Sequence, residues 1–167
     1  MKVQKVLEPE VRFPRLWSDF FDHEVTRYVK SKYSPKEKWA DKPFSEADSR
    51  FFSRGVRELS ELFQEGTARD LQTYLNHPKY RSSYLLYFLP LQCAKFLALF
   101  HRYPDLLARL SSRPKLRILD LGAGPGTASL ALTMAFVELT KKASLEFHWV
   151  DTQGEIMRDG QAILEPL

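Results

Sequence analysis

Cysteine is almost absent from this chain: Cys93 is one residue in 167. That excludes an intramolecular disulfide framework and a metal site built on cysteines. Cys93 lies in an apolar run, the setting of a buried, inert thiol, and a reducing cytoplasm fits. Of the four histidines, His77 stands beside Pro78 in a turn with no His or Cys near it, which gives no support to a metal role. The N-terminus has no apolar core. Met1 to Glu10 carries Glu8 and Glu10, unlike a secretory signal or a transit peptide. The longest apolar stretch, Tyr84 to Phe100, is a little short for a membrane span and contains Pro90, Gln92 and Lys95, so it reads as protein core rather than membrane. No internal repeat or low-complexity segment occurs. Glycine is scarce too, seven in all, and three of the seven fall at 122, 124 and 126.

What is present suits a globular chain. Hydrophobic residues make up 44%, which argues against wholesale disorder, and the length suits one domain or a small domain with an appendage. The net charge of +4 is unevenly placed: residues 1–115 carry 21 Lys+Arg against 14 Asp+Glu, and residues 116–167 carry 4 against 7. A basic front segment suggests an anionic partner, with RNA the natural candidate; a solvated helical surface of mixed charge explains the same numbers.

Residues 1–14 lack periodicity and read as an extended arm. Arg15 to Lys32 places Leu16, Phe20, Phe21, Val25, Tyr28 and Val29 at helical spacing. Tyr33 to Pro43, with two prolines and three lysines, reads as a loop whose Trp39 needs burial against neighbouring helices. Ser45 to Gly66 carries a capping signal at Ser45 and Asp48, a terminating glycine, and an apolar face that includes Phe51, Phe52, Leu59 and Phe63. Arg50, Arg54 and Arg57 form a basic stripe that either meets phosphate or pairs with Glu58 and Glu61. A shorter helix over Thr67 to Asn76 is followed by Tyr80 to Tyr103, either kinked at Pro90 or restarted there with proline in its first turn. Asp105 to Leu110 is a short helix, and Ser111 to Pro114 link it to a strand.

The strand opens the stretch KLRILDLGAGPGT, Lys115 to Thr127. Leu116, Ile118, Leu119 and Leu121 make an apolar run of strand length; Asp120 and the glycines close it; an apolar segment of helical length, Thr127 to Lys142, comes next. Strand, glycine turn, helix is the context of a nucleotide-binding turn. Glycines there admit positive φ and let a ligand approach bare main chain, while the helix start offers unpaired N–H groups. A dinucleotide fingerprint would need glycine at position 127, which is Thr127. The spacing is instead acidic-x-G-x-G-x-G. Ser144 to Val150 reads as a second strand tipped by Asp151, placed either to accept bonds from ribose hydroxyls or to cap the helix Gly154 to Leu164.

DLGAGPG, Asp120 to Gly126, resembles the first motif of class I S-adenosylmethionine-dependent methyltransferases. The resemblance implies that Asp120 helps hold the methionine amino end. It puts Gly122, Ala123, Gly124 and Gly126 under the methionine and ribose, and Asp151, with Thr152 beside it, on the ribose hydroxyls. More narrowly, YLNHPKYRSSYLLYFLPLQCAKFLALF followed by LRILDLGAGPGTASLAL resembles the methyltransferase-like proteins of the small ribosomal subunit, bacterial and mitochondrial. That implies an α/β fold: a helical region over 1–112 packed on the start, over 113–167, of a Rossmann-like class I methyltransferase sheet. It also implies a role on ribosomal RNA or the small subunit, either as a methyltransferase or as an assembly factor that keeps the fold and not the reaction.

Two departures stand out. The cysteines that members of that family carry further along have no counterpart, and only two of about seven strands can be found. A two-stranded parallel pair leaves an edge that invites pairing with another chain. The expectation is that this chain is either the front piece of a longer protein or a truncated relative, that it methylates nothing by itself, and that it binds cofactor weakly. No residue reads as a general base, and no catalytic residue is assigned.

Overall fold

The computed structural model of the chain describes residues 14–34, 42–67, 73–138 and 144–165. Its first helical run is continuous: α1 (Arg15–Asp19), a π-helical turn (Phe20–Val25) and α2 (Thr26–Tyr33). The buried series is Trp17, Phe21, Val25 and Val29, every fourth residue. A regular α-helix would drift off one face at that spacing, and the wider π turn corrects the drift. Trp17 therefore takes the buried place and Leu16, expected on the stripe, faces solvent.

Helix α3 (Glu46–Glu65) begins as the sequence dictates: Ser45 and Asp48 form a reciprocal capping box, and the Gly66 N–H closes the far end on the Leu62 carbonyl. Phe52 and Leu59 are buried, whereas Phe51 and Phe63 are exposed. Of the basic stripe, Arg54 pairs with Glu58 and Arg50 with Glu46. Trp39 lies outside the described residues. So do residues 68–72 of the helix expected over Thr67 to Asn76, of which Tyr74–Asn76 forms a 3₁₀ turn.

Pro78–Arg102 is one long helix: α4 (Pro78–Ser83), a π turn (Tyr84–Phe88) and α5 (Leu89–Arg102). Pro90 does not start a separate helix. The π turn ahead of it shifts the carbonyl ladder where proline has no N–H to give. The helix is long and apolar enough to cross a membrane, and here its stripe of Leu85, Phe88, Leu89, Cys93, Leu97 and Phe100 lies in the protein core. Helix α6 (Pro104–Ser111) leads to β1 (Lys115–Leu121), α7 (Thr127–Glu138), β2 (Ser144–Val150) and α8 (Gly154–Leu164).

The two strands are parallel and in register, Lys115 opposite Ser144 and Leu121 opposite Val150. The fold is thus mixed α/β and mostly helical. Leu116, Ile118, Leu145 and Phe147 face the helices. On the other face Leu119, Leu121 and Val150 are 62%, 70% and 52% exposed, and among the described residues β1 pairs with β2 alone.

One hydrophobic cluster runs from Trp17 through Leu85 and Leu130 to Ile163, so the helices and the strand units share a core. Two ionic locks reinforce it. The Lys30 ammonium, itself buried, donates to the Asp48 carboxylate (3.1 Å) and to the carbonyls of Lys42 and Pro43. Asp159 on α8 is fully buried and gathers the Tyr28 hydroxyl (2.7 Å), the Tyr33 hydroxyl, the Lys32 ammonium (2.5 Å) and the Arg81 guanidinium (3.4 Å). Arg81 also donates to the carbonyls of Leu75 and Asn76. The same residues thereby tie α2, α4 and α8 into one block behind the strand tips.

Candidate functional site at the strand tips

The inward alternation of β1 continues past Leu116 and Ile118 to Asp120, so its carboxylate stands at the C-terminal end of an apolar row. One of its oxygens accepts from the Ser129 hydroxyl (3.1 Å), which in turn accepts from the Trp149 indole (2.8 Å). The other oxygen, Oδ1, has no protein partner among the described residues.

The turn after β1 is fixed from the neighbouring strand. The N–H groups of Gly122 and Ala123 donate to the Val150 carbonyl, and the Gly126 N–H folds back to Ala123. Gly122, Gly124 and Gly126 all have positive φ, at 69°, 53° and 74°, a conformation that costs a side-chain-bearing residue about 1–2 kcal/mol. The space beyond them differs. A Cβ on Gly122 or Gly124 would meet nothing within 4 Å, whereas one on Gly126 would overlap the Trp149 ring. Gly160 on α8 plays a similar part from behind, since a Cβ there would overlap the Pro125 main chain. Two glycines therefore bare the backbone to open space, and two let protein close in behind.

Asp151 ties the tip of β2 to this turn: one carboxylate oxygen accepts from the Gly124 N–H (2.8 Å) and the other from the Gln153 N–H (2.7 Å). The second bond is an Asx turn; helix α8 is capped at Gln153 with no side-chain bond. The helix-capping alternative for Asp151 thus gives way to a clip between the strand tips. Each oxygen keeps a lone pair for a further donor.

These residues line a cleft of about 490 Å³, within the rough range of 300–1,000 Å³ for small-molecule sites. The structure brings Asp120, Gly122, Ala123, Gly124, Asp151 and Thr152 to it together; Gly126 stands behind the turn and does not line it. The opposite wall was not legible in the sequence. Tyr74, Tyr84, Gln92 and Phe96 reach across from the helical region. The signal for Tyr84, Gln92 and Phe96 was a long apolar run, which reads as core whether or not one face of it meets a cavity; Tyr74, before the run, had none. Burial raises the pKa of both tyrosines; a hydrogen bond with Thr127 opposes the rise at Tyr84, and the Asp151 charge adds to it at both. Among the described residues, none that lines the cleft is Lys, Arg or His. Among the described residues no cluster of His, Cys, Asp and Glu could hold a metal ion.

Comparison with family models, with curated proteins and with solved structures finds no match for this chain.

Proposed function

We propose that this chain binds S-adenosylmethionine at the turn between β1 and α7, as the cofactor-holding part of a Rossmann-like class I methyltransferase that acts on ribosomal RNA or the small ribosomal subunit. One observation carries the reading. Gly122 and Gly124 present main chain to an open cleft, directly beside a carboxylate oxygen of Asp120 that has no protein partner among the described residues. The residues fit the group: the open oxygen of Asp120 suits an ammonium, the bare turn suits close approach of the methionine chain, and Asp151 keeps lone pairs for ribose hydroxyls. A nicotinamide dinucleotide fits less well, because its pyrophosphate would lie beside two carboxylates with no lysine or arginine among the described residues that line the cleft.

The chemistry the group supplies when bound is an electrophilic methyl. The protein's share is positioning and the field around the reacting centre. Asp120 and the turn orient one end of the donor, Asp151 the other, and the core behind Gly126 and Gly160 keeps the turn from moving. The alternative is an RNA-binding assembly factor that keeps the pocket without the reaction.

The test is ligand-observed NMR with the full chain, comparing S-adenosylmethionine with NAD. The first should bind with a Kd of roughly 0.1–1 mM, about −4 to −5.5 kcal/mol, because β1 offers no pocket wall on the side away from β2. NAD should not compete. Binding of NAD alone, or of neither, would overturn the proposal. Retention of small-subunit RNA, weakening steeply with salt, would support the ribosomal setting; its absence would remove it.

A further inference from the structure

We infer that a second surface, at the corner between α5 and α6, holds single-stranded RNA, with Arg102 and Arg109 on its phosphates and Tyr103 against a base. The inference rests on the RNA partner proposed above, not on the cofactor, and adds to it the place of contact.

From residue 71 to residue 119 the chain carries eight Lys and Arg and one acid, Asp105. Four of the eight are used within the protein: Lys79 pairs with Glu58, Arg81 with Asp159, and Lys115 and Arg117 with Glu146. The other four, Lys95, Arg102, Arg109 and Arg113, are exposed and have no carboxylate within ion-pair distance among the described residues. Arg102 closes α5, and Arg109 lies in the last turn of α6. Both line a hollow of about 340 Å³ together with Tyr103, Asp105 and Leu106. Tyr103 is 50% exposed, and the Arg102 guanidinium stands 5.9 Å from the centre of its ring. Cations that no protein carboxylate neutralises attract a polyanion, and arginine meets phosphate with a planar fork of donors. An exposed ring offers a face on which any base stacks. Asp105 opposes them with one charge against two. The stripe on α3 differs, because Arg50 and Arg54 are already taken by Glu46 and Glu58. A hollow with a ring in its wall suits a nucleotide better than the flat contact of a lipid surface. It shares no lining residue with the cleft, and Arg102 lies about 15 Å along α5 from Gln92 of the cleft wall. RNA held at this corner therefore leaves the glycine turn open.

The test is fluorescence anisotropy of the full chain with a labelled single-stranded RNA of about 12 nucleotides, across a range of salt. Arg102→Gln with Arg109→Gln should weaken binding roughly tenfold and make the plot of log affinity against log salt shallower by about 1.4, the slope of two phosphate contacts. Tyr103→Leu should weaken binding about fivefold and leave that slope unchanged, because stacking releases no counterions. Arg50→Gln with Arg54→Gln removes the same net charge elsewhere and should change affinity no more than about twofold. All five positions are exposed, and an amide spectrum of each variant confirms the fold. Equal losses in the two double variants would reduce the effect to overall charge and overturn the surface. RNA binding untouched by the changes at Arg102, Arg109 and Tyr103 would overturn the surface and leave the RNA partner standing. No RNA binding by the unaltered chain would overturn both, while the cofactor reading stands or falls by its own titration. Binding to phosphatidylserine vesicles and not to RNA would assign the corner to a lipid surface and overturn the proposal.

Discussion

The chain holds two kinds of enclosed carboxylate, and they are treated in opposite ways. Asp48 and Asp159, in the helical block and its seam with α8, are each met by a cation, Asp48 by Lys30 and Asp159 by Lys32 and Arg81. Asp120 and Asp151, at the strand tips, are met among the described residues only by neutral N–H and O–H donors. A buried charge without a counter-charge is costly unless it is neutralised or paired. The first pair is complete as it stands and serves stability. The second lies at a cleft and is left with its charge available. In the reading proposed above, the contrast separates what holds the molecule together from what meets the ligand.

The sharpest way to break the comparison is to remove one carboxylate of each kind. Asp159→Ala leaves Lys32 and Arg81 without their buried acceptor and should cost roughly 3–5 kcal/mol in chemical denaturation. Asp120→Asn should change stability by no more than about 1 kcal/mol while weakening S-adenosylmethionine. Equal losses in the two variants would dissolve the distinction.

The glycines offer a second, smaller contrast. Gly126→Ala meets the Trp149 ring as well as an unfavourable φ, and should cost roughly 2–5 kcal/mol. Gly124→Ala meets only the φ, about 1–2 kcal/mol, yet should abolish detectable ligand binding because its methyl projects into the cleft. Thermal melts and a ligand titration of both variants read this directly.

These differences also mark what was legible in the sequence. The glycine turn, both strands with their tip carboxylates, and the capping box at Ser45 and Asp48 are local patterns, written within a few residues, and they appear where the spacing puts them. Asp159 was not legible. It sits mid-helix among polar neighbours, and the Tyr28 hydroxyl that fixes it comes from 131 residues away. Lys30 likewise reads as a surface lysine, because what buries it is a return of the chain at Lys42 and Pro43. Nor did spacing separate Gly126 from Gly122 and Gly124: three glycines alternate alike, and only the fold brings Trp149 behind one of them. The boundary expected near residue 112 is likewise invisible to the core, which is shared across it.

Titration sharpens the stability side further. Burial by itself would raise the pKa of Asp48, but the Ser45 hydroxyl and N–H and the Lys30 ammonium outweigh it and hold the carboxyl below its ordinary value of 3.8. A carboxyl lowered on folding stabilises above its unfolded pKa, and that contribution is lost as pH falls through the folded value. Denaturant midpoints should therefore decline below about pH 4, and Asp48→Asn should flatten that part of the decline. The smallest effect concerns Cys93, whose thiol burial pushes up to about 12. It should resist alkylation at pH 8 in the folded chain and react once unfolded.

The most direct test of a ligand resting on bare main chain is an amide-resolved NMR titration of the full chain with S-adenosylmethionine. The account predicts that the largest shifts fall on Gly122, Ala123, Gly124 and Thr152, with Lys32, Arg81 and Asp159 unmoved. Shifts confined to the helical block, or none at the turn at saturating ligand, would contradict it.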